Sequence, residues 1–537
     1  MVWLIGWGLI IGSISISPIA APAPAVYYVN ASTGDDGNTG ASPATAWRTI
    51  SKANGAVQPG DTVLIYGGIY NETIRPARSG AAQMRITYRA VPGEAVIVEG
   101  AKLLVDLHEK SYISIEGITF RDPISGWGEI QNGHHNELIG NVFIGNGQRP
   151  DTAFSGLYLF DGSSSNRIAN NAFRNWGAAR IDLPWGDALR LTNAPYNLIE
   201  GNTLTNAGHA LLGIDASYNV IRNNSFENAW SIDVEIAWWK SPPWATGQEF
   251  PAQGNVFESN VVAGAARALD GHNGGPGVEL AAAGTIFRGN VIVQNETSGV
   301  LLNGWEYAPN VYGNRVYHNT IVANGAPGVM ATNWGITRVD ISNNELKNNV
   351  LSQNDLRGSG VQVLFRFWPE ATYDAEYFQG SYMIAGNCIS KAPTLDIRSL
   401  DGEQLFAFYQ EHYPKFVEAN RDAKPQFVNP ATGDYRLNRC RCVDAGVALT
   451  TTTRAGSGNM VPVLDASYFT DGYGLVSGDQ VKVGANPAIL VLGVDYANKT
   501  LTLERAISWK RGDPVYWGDF VGHGPDAGAF EFAGSTP

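Results

Sequence analysis

The chain has 537 residues with 62 Gly, 27 Pro and 44% hydrophobic residues, too much apolar material for a disordered chain and too much punctuation for a mostly helical one. Its formal charge is −13 with only 16% charged residues, so the surface is polar without being ionic, and the absence of a basic stripe excludes a nucleic-acid partner. The length exceeds one ordinary domain, and one elongated repeated architecture of short strands and frequent turns accounts for both the glycines and the apolar residues.

Residues 1–25 pass from an apolar run, Val2 through Ile19, into the small segment Ala20 to Ala25 with its two prolines. This reads as a secretion signal with its cleavage zone, or as an N-terminal anchor. No other stretch is long and apolar enough to span a bilayer, so no further integral membrane domain is expected. The chain then reads Tyr27-Tyr28-Val29-Asn30, the turn Gly34-Asp35-Asp36-Gly37-Asn38, and Trp47-Arg48-Thr49-Ile50. A short amphipathic helix is predicted between Ser42 and Val57, where it would cover the open edges of a first coil. Pro59-Gly60-Asp61 turns into a strand from Thr62 to Tyr66, followed by Gly67-Gly68-Ile69-Tyr70.

The organising signal is an Asn-rich unit. It appears as Asn136 to Phe143, Asn166 to Phe173, Asn197 to Leu204 and Asn219 to Phe226, and weaker copies place the second Asn at Asn260, Asn290, Asn319, Asn349 and Asn387. Steps of 22 to 38 residues between second asparagines suit one turn of a solenoid with loops of varying length. Apolar residues on either side of the Asn bend point inward from short strands, and stacked Asn side chains are expected to form a ladder inside the bend. The predicted fold is all-β, a right-handed parallel β-helix, over residues 26–453.

The Gly-Asp-Asp-Gly-Asn turn, the Trp47-Arg48-Thr49-Ile50 helix start and the Pro-Gly-Asp-Thr-Val to Gly-Gly-Ile-Tyr run resemble the N-terminal cap of secreted bacterial β-helix proteins, including polysaccharide lyases of the family nine kind. Gly524-Pro525-Asp526-Ala527-Gly528-Ala529-Phe530-Glu531 is similar to their closing strand, expected within 519–537. The resemblance implies a secreted or cell-surface bacterial protein and a carbohydrate partner. It leaves the chemistry open, because this scaffold carries hydrolases, lyases and noncatalytic adhesins.

Between Thr450 and Val521 the Asn repeat stops, and alternating strands around Val481, Leu490 and Leu501 predict a small β-barrel-like insertion over 454–518. Of three cysteines, Cys388 is expected to pair with either Cys440 or Cys442.

Candidate site residues gather on successive coils. Spacing to the following Asn places Asp187 level with His209, and Arg190 between Leu159 and Leu212. Alternation in Ile232-Asp233-Val234-Glu235-Ile236 turns Asp233 and Glu235 outward, and the next coil offers Arg267, Asp270, His272 and Glu279. Asp233, Glu235 and Asp270 are the carboxylates expected to carry acid–base hydrolysis of a polysaccharide glycosidic bond, which requires no cofactor. His209, Arg190, Arg267, His272 and Lys240 are the expected positioning groups or alternative bases. The indoles of Trp185, Trp238, Trp239, Trp244 and Trp305 are expected to stack on sugar rings. The alternative is β-elimination on a uronate-containing glycan, with Asp182 and Asp187 supplying oxygen ligands for calcium. A noncatalytic glycan-binding or adhesion protein is the other alternative.

Overall fold

The computed structural model describes residues 23–146, 155–177, 186–242, 245–265, 275–334, 336, 339–358, 360–390 and 394–532. Among them, three sheets of 14, 13 and 12 strands wind into a right-handed parallel β-helix. The first sheet holds short strands such as Glu137–Ile139, Arg167–Ala169 and Leu198–Glu200, and the second holds Val142–Ile144, Ala172–Trp176 and Thr203–Ala207. The third has the longer Ser155–Phe160, Asp187–Thr192, Ala210–Asp215 and Ile232–Ala237. No described helix is long and apolar enough to cross a membrane.

Side-chain identity is repeated up the stack because parallel pairing keeps one register. Leu138, Ile168, Ile199, Ile221 and Phe257 form one buried file. Phe143 and Phe173 lie parallel in another, with ring centroids 4.7 Å apart. The asparagines pile into columns. The Asn171 backbone N–H donates to Asn202 Oδ1, Asn202 N–H to Asn224 Oδ1, and Asn224 N–H to Asn260 Oδ1, each at 2.9 Å. A second column runs from Asn136 through Asn166, Asn197 and Asn219 to Asn255. A third, at the bend between the second and third sheets, links Ala265 through Asn295 and Asn324 to Asn354. The left-handed backbone needed to turn each corner falls on the residue before the column Asn: Gly140, Asn170, Gly201 and Asn223 all have φ between +56° and +65°. Gly and Asn tolerate that conformation at least cost, which leaves the following Asn free to bond vertically.

At the N-terminus the helix Ile50–Ala56 buries Ile50 and Ala53 over the first coil, within the stretch expected to be helical. Near the C-terminus six antiparallel strands between Thr450 and Trp517 curl into a sheet whose outer members meet through a Thr452–Val463 bridge. Its interior, including Val481, Val491, Leu501 and Leu503, packs on Leu198, Val220, Val256 and Ile286 from the outer side of the first solenoid sheet. Arg288 clamps this junction, pairing with Glu258 at 2.7 Å and Asp479 at 2.5 Å under the Trp517 ring. The segment 519–532 forms no strand, contrary to the closing strand expected there. It doubles back along the solenoid flank, where Ala527 N–H donates to the Cys442 carbonyl and Gly528 N–H to that of Asn348. Of the two pairings open to Cys388, the disulfide forms with Cys442, and Cys440 is free.

Candidate active site

The outer face of the third sheet carries one continuous file of side chains: Asp106, Glu129, Tyr158, Arg190, Gly213, Glu235 and Glu279. Arg190 therefore lies between Tyr158 and Gly213, not between Leu159 and Leu212. Asp187 is level with Ala210, not with His209. The one-residue error has a physical cause: the length of the turn before the Asn differs from coil to coil. Tyr158 precedes Asn166 by eight residues, Arg190 precedes Asn197 by seven, and Gly213 precedes Asn219 by six. Distance to the Asn is thus a sliding ruler.

Gly213 makes room for the centre of the cluster, because a Cβ there would come within 3.0 Å of both Arg190 Nη1 and Asp187 Oδ2. Arg190 reaches Asp187 at 2.5 Å, Asp215 at 2.5 Å and Glu235 at 3.5 Å. Asp215 also accepts from Thr192 Oγ1 at 3.0 Å and from the Trp239 indole N–H at 2.9 Å. Asp187 holds His209 through Nδ1 at 2.9 Å. On the next strand Glu279, level with Glu235, accepts a 2.5 Å hydrogen bond from the Asn303 amide.

Burial and mutual charge set the protonation of this group. Burial alone would raise the Asp187 carboxyl, but the Arg190 charge and then His209 bring it down to about 2. Burial would strip the His209 proton, and the hydrogen bond and charge of Asp187 outweigh it, raising the imidazole to about 9. Asp215 is pushed up to about 6 by burial, with Arg190 opposing. Glu279 is pushed up to about 7, by burial first and the Glu235 charge second. Glu235 Oε2 is buried and makes no hydrogen bond among the described residues, facing Arg190 Nη1 at the 3.5 Å of an ion pair.

Asp233 does not join this site. It has the same strand parity as Glu235, as expected, but its file runs Gly156, Ala188, Leu211, Asp233, Gly277 inside the bend between sheets. It is fully buried, accepts from the Ala229 N–H at 2.8 Å and the Ala265 amide, and burial raises its pKa well above the usual carboxylate range. Facing away from the helix axis is here not the same as facing solvent. Lys240 is likewise outside the cluster, exposed on a hairpin arm where it pairs in register with Glu249. Of the indoles, Trp239 bonds Asp215 and meets Trp305 edge-on at 5.4 Å, so both flank the cluster, whereas Trp238 donates outward to Glu249. Asp187 does not fit a calcium ligand as arranged, because its oxygens are bonded to Arg190, His209 and the Ala210 N–H. Among the described residues no group of three or more His, Cys, Asp or Glu side chains is disposed to hold a metal ion. Asp182, Trp185, Trp244, Arg267, Asp270 and His272 lie outside the described residues. Sequence reasoning did not select Asp215, Asn303 or Thr192. The only signal for Asp215 is its place at the end of an apolar strand, and Glu279, offered by the sequence on the same coil as Asp270, is the carboxylate that stands level with Glu235.

A family model described as a right handed beta helix region matches residues 179–366. The alpha-1,3-galactosidase A of Akkermansia muciniphila is 32% identical over 77 residues, 14% of this chain and 13% of that protein. The chain thus matches well under two thirds of the curated relative's length. Among solved structures, pectate lyase Pel9A is similar with a TM-score of 0.44 and 15% identity, covering 81% of this chain and 95% of that one. The PL6 family alginate lyase AlyGC gives a TM-score of 0.49 and 15% identity over 77% of this chain and 55% of that one. The matched family model and the winding of the chain agree on one architecture, the right-handed parallel β-helix.

Proposed function

We propose that the protein is a carbohydrate-active enzyme that cleaves glycosidic bonds in a polysaccharide, with Glu279 as the proton donor and Glu235 as the paired carboxylate. The observation that carries this reading is the level pairing of the two glutamates on adjacent strands, with the Glu279 carboxyl raised to about 7 by burial and by the Glu235 charge. One member holds a proton near neutrality and the other faces a guanidinium, the division of labour that glycoside hydrolysis needs. Neighbouring rungs stand about 4.8 Å apart, nearer the roughly 5–5.5 Å carboxyl separation of retaining hydrolases than the roughly 6.5–9.5 Å of inverting ones. Asn303 can accept from protonated Glu279 by turning its amide over, and its Oδ1 has no other partner among the described residues. Trp239 and Trp305 offer apolar ring faces beside the pair.

Elimination from a uronate, the chemistry named for the pectate and alginate lyases above, is the second reading and has its own observation. His209, cationic up to about pH 9, and Arg190 together place positive charge beside Glu235, where a substrate carboxylate could be neutralised. Incubation with a panel of neutral and acidic polysaccharides decides between them. Hydrolysis yields new reducing ends without ultraviolet absorbance, elimination yields an absorbing unsaturated uronate, and Glu279→Gln and Glu235→Gln should each abolish the product. Binding without either product on every panel member would mark an adhesion protein and overturn both readings.

A further inference from the structure

On the outer face of the third sheet, N-terminal to the acid pair, lies a cavity of about 590 Å3 whose lining includes Lys102, Asp106, His108, Ser125, Glu129 and Tyr158. It stands on the same file as the proposed catalytic pair, since Asp106, Glu129 and Tyr158 lead rung by rung to Arg190, Gly213 and Glu235. Four rungs separate Glu129 from Glu235, roughly 19 Å along the solenoid.

The charges in the cavity answer one another. His108 sits between two carboxylates, Nδ1 at 2.6 Å from Asp106 and Nε2 at 3.1 Å from Glu129. Arg75 pairs with Asp106 at 3.0 Å. An aromatic wall stands beside them, with Phe160 edge-on to His108 at 6.2 Å and stacked against Tyr158 at 4.4 Å. Such a lining offers alternating donors and acceptors with a ring face and little uncompensated charge. An acidic sugar would meet Asp106 and Glu129, whereas sugar hydroxyls can both donate to the carboxylates and accept from Lys102.

We propose that this cavity is a remote subsite for a neutral, hydroxyl-rich sugar residue of the same glycan that is cut at Glu235 and Glu279, so that the glycan lies along the solenoid axis. The inference rests on the glycan-cleaving reading and adds the substrate's direction, minimum length and charge. The test uses full-length Glu279→Gln protein, which should not consume its ligand, titrated calorimetrically with neutral galacto-, manno- and xylo-oligosaccharides of increasing length and with oligogalacturonides of matched length. The expected result is that for one neutral series affinity rises at least tenfold from the shortest to the longest members. That increment should disappear when Ser125→Trp fills the cavity or His108→Ala removes its bridging ring, while binding of the shortest members is unchanged. Affinity independent of length, or an increment that survives both variants, overturns the subsite while leaving the cleavage reading intact. Preference for the oligogalacturonides overturns the neutral-sugar assignment, and binding of none of the probes, together with no product from the wild-type protein on the polysaccharide panel, overturns the cleavage reading and the subsite with it.

Discussion

Replacing Glu279 by Gln should make the protein inactive and, at alkaline pH, more stable. Burial and the Glu235 charge raise the carboxyl from 4.5 to about 7 in the folded protein. The folded state then holds a proton between those two values that the unfolded chain has lost, so unfolding free energy falls as pH rises through that window. The full rise corresponds to about 3 kcal/mol, an upper figure for the strain of ionising this group in place. Gln keeps the size and the acceptor for Asn303 but has no proton to lose, so its stability should lack this component. The assay is urea unfolding of wild type and variant at pH 5 and pH 8, with the difference between them isolating Glu279 from the other titrating groups. A gap that widens by about 2–3 kcal/mol in favour of the variant at pH 8 is expected. Parallel stabilities at the two pH values would refute the reasoning, because they would mean that Glu279 is already ionised at no cost and is no proton donor.

Other perturbations separate the elements of the site. Asp233→Asn should leave kcat/KM at the wild-type level, since this carboxyl lies buried inside a bend away from the acid pair; loss of turnover without unfolding would return it to the chemistry. Arg190→Met strands Asp187, Asp215 and Glu235 together and should cost about 3–5 kcal/mol, measured by denaturant unfolding at pH 7. In His209→Gln the stability contributed by the raised imidazole pKa, present below about pH 6.5 and lost as pH rises through 9, should vanish from the pH–stability profile. Asn202→Ala removes four buried hydrogen bonds, to Asn171 twice, Ile168 and Asn224. At about 1 kcal/mol each it should cost roughly 4 kcal/mol, measured by denaturant unfolding.

What the sequence disclosed and what it concealed follow from the range of the forces involved. The Asn columns were legible because a buried amide that must bond above and below admits almost no other residue, so Asn171, Asn202 and Asn224 repeat visibly. Arg190 and Glu235 were legible as charged residues in strands of otherwise apolar alternation. The partners were not, because who stands beside whom depends on turn length, and a turn that changes by one residue shifts each outward residue by one position along its strand. Asp233 shows the second limit: strand parity says which way a side chain leaves the sheet, but not whether another bend closes over it. Glu279 lies on a strand followed by Thr285 where its neighbours have a column Asn, so spacing to an Asn offers no ruler there.

The amide columns carry a consequence for how such a chain can change. Asn202 and Asn224 are 22 residues apart and Asn224 and Asn260 are 36, yet the bond between successive members is 2.9 Å in both steps. Contour length between anchors is therefore free, while the anchors themselves are quantised. Excursions such as the hairpin carrying Trp239 can be grown, trimmed or exchanged without disturbing the coils on either side, and a complete coil bounded by two anchors is the natural unit of duplication or excision. New recognition surface can in this way be acquired by editing the excursions alone, with the acid pair held where it is.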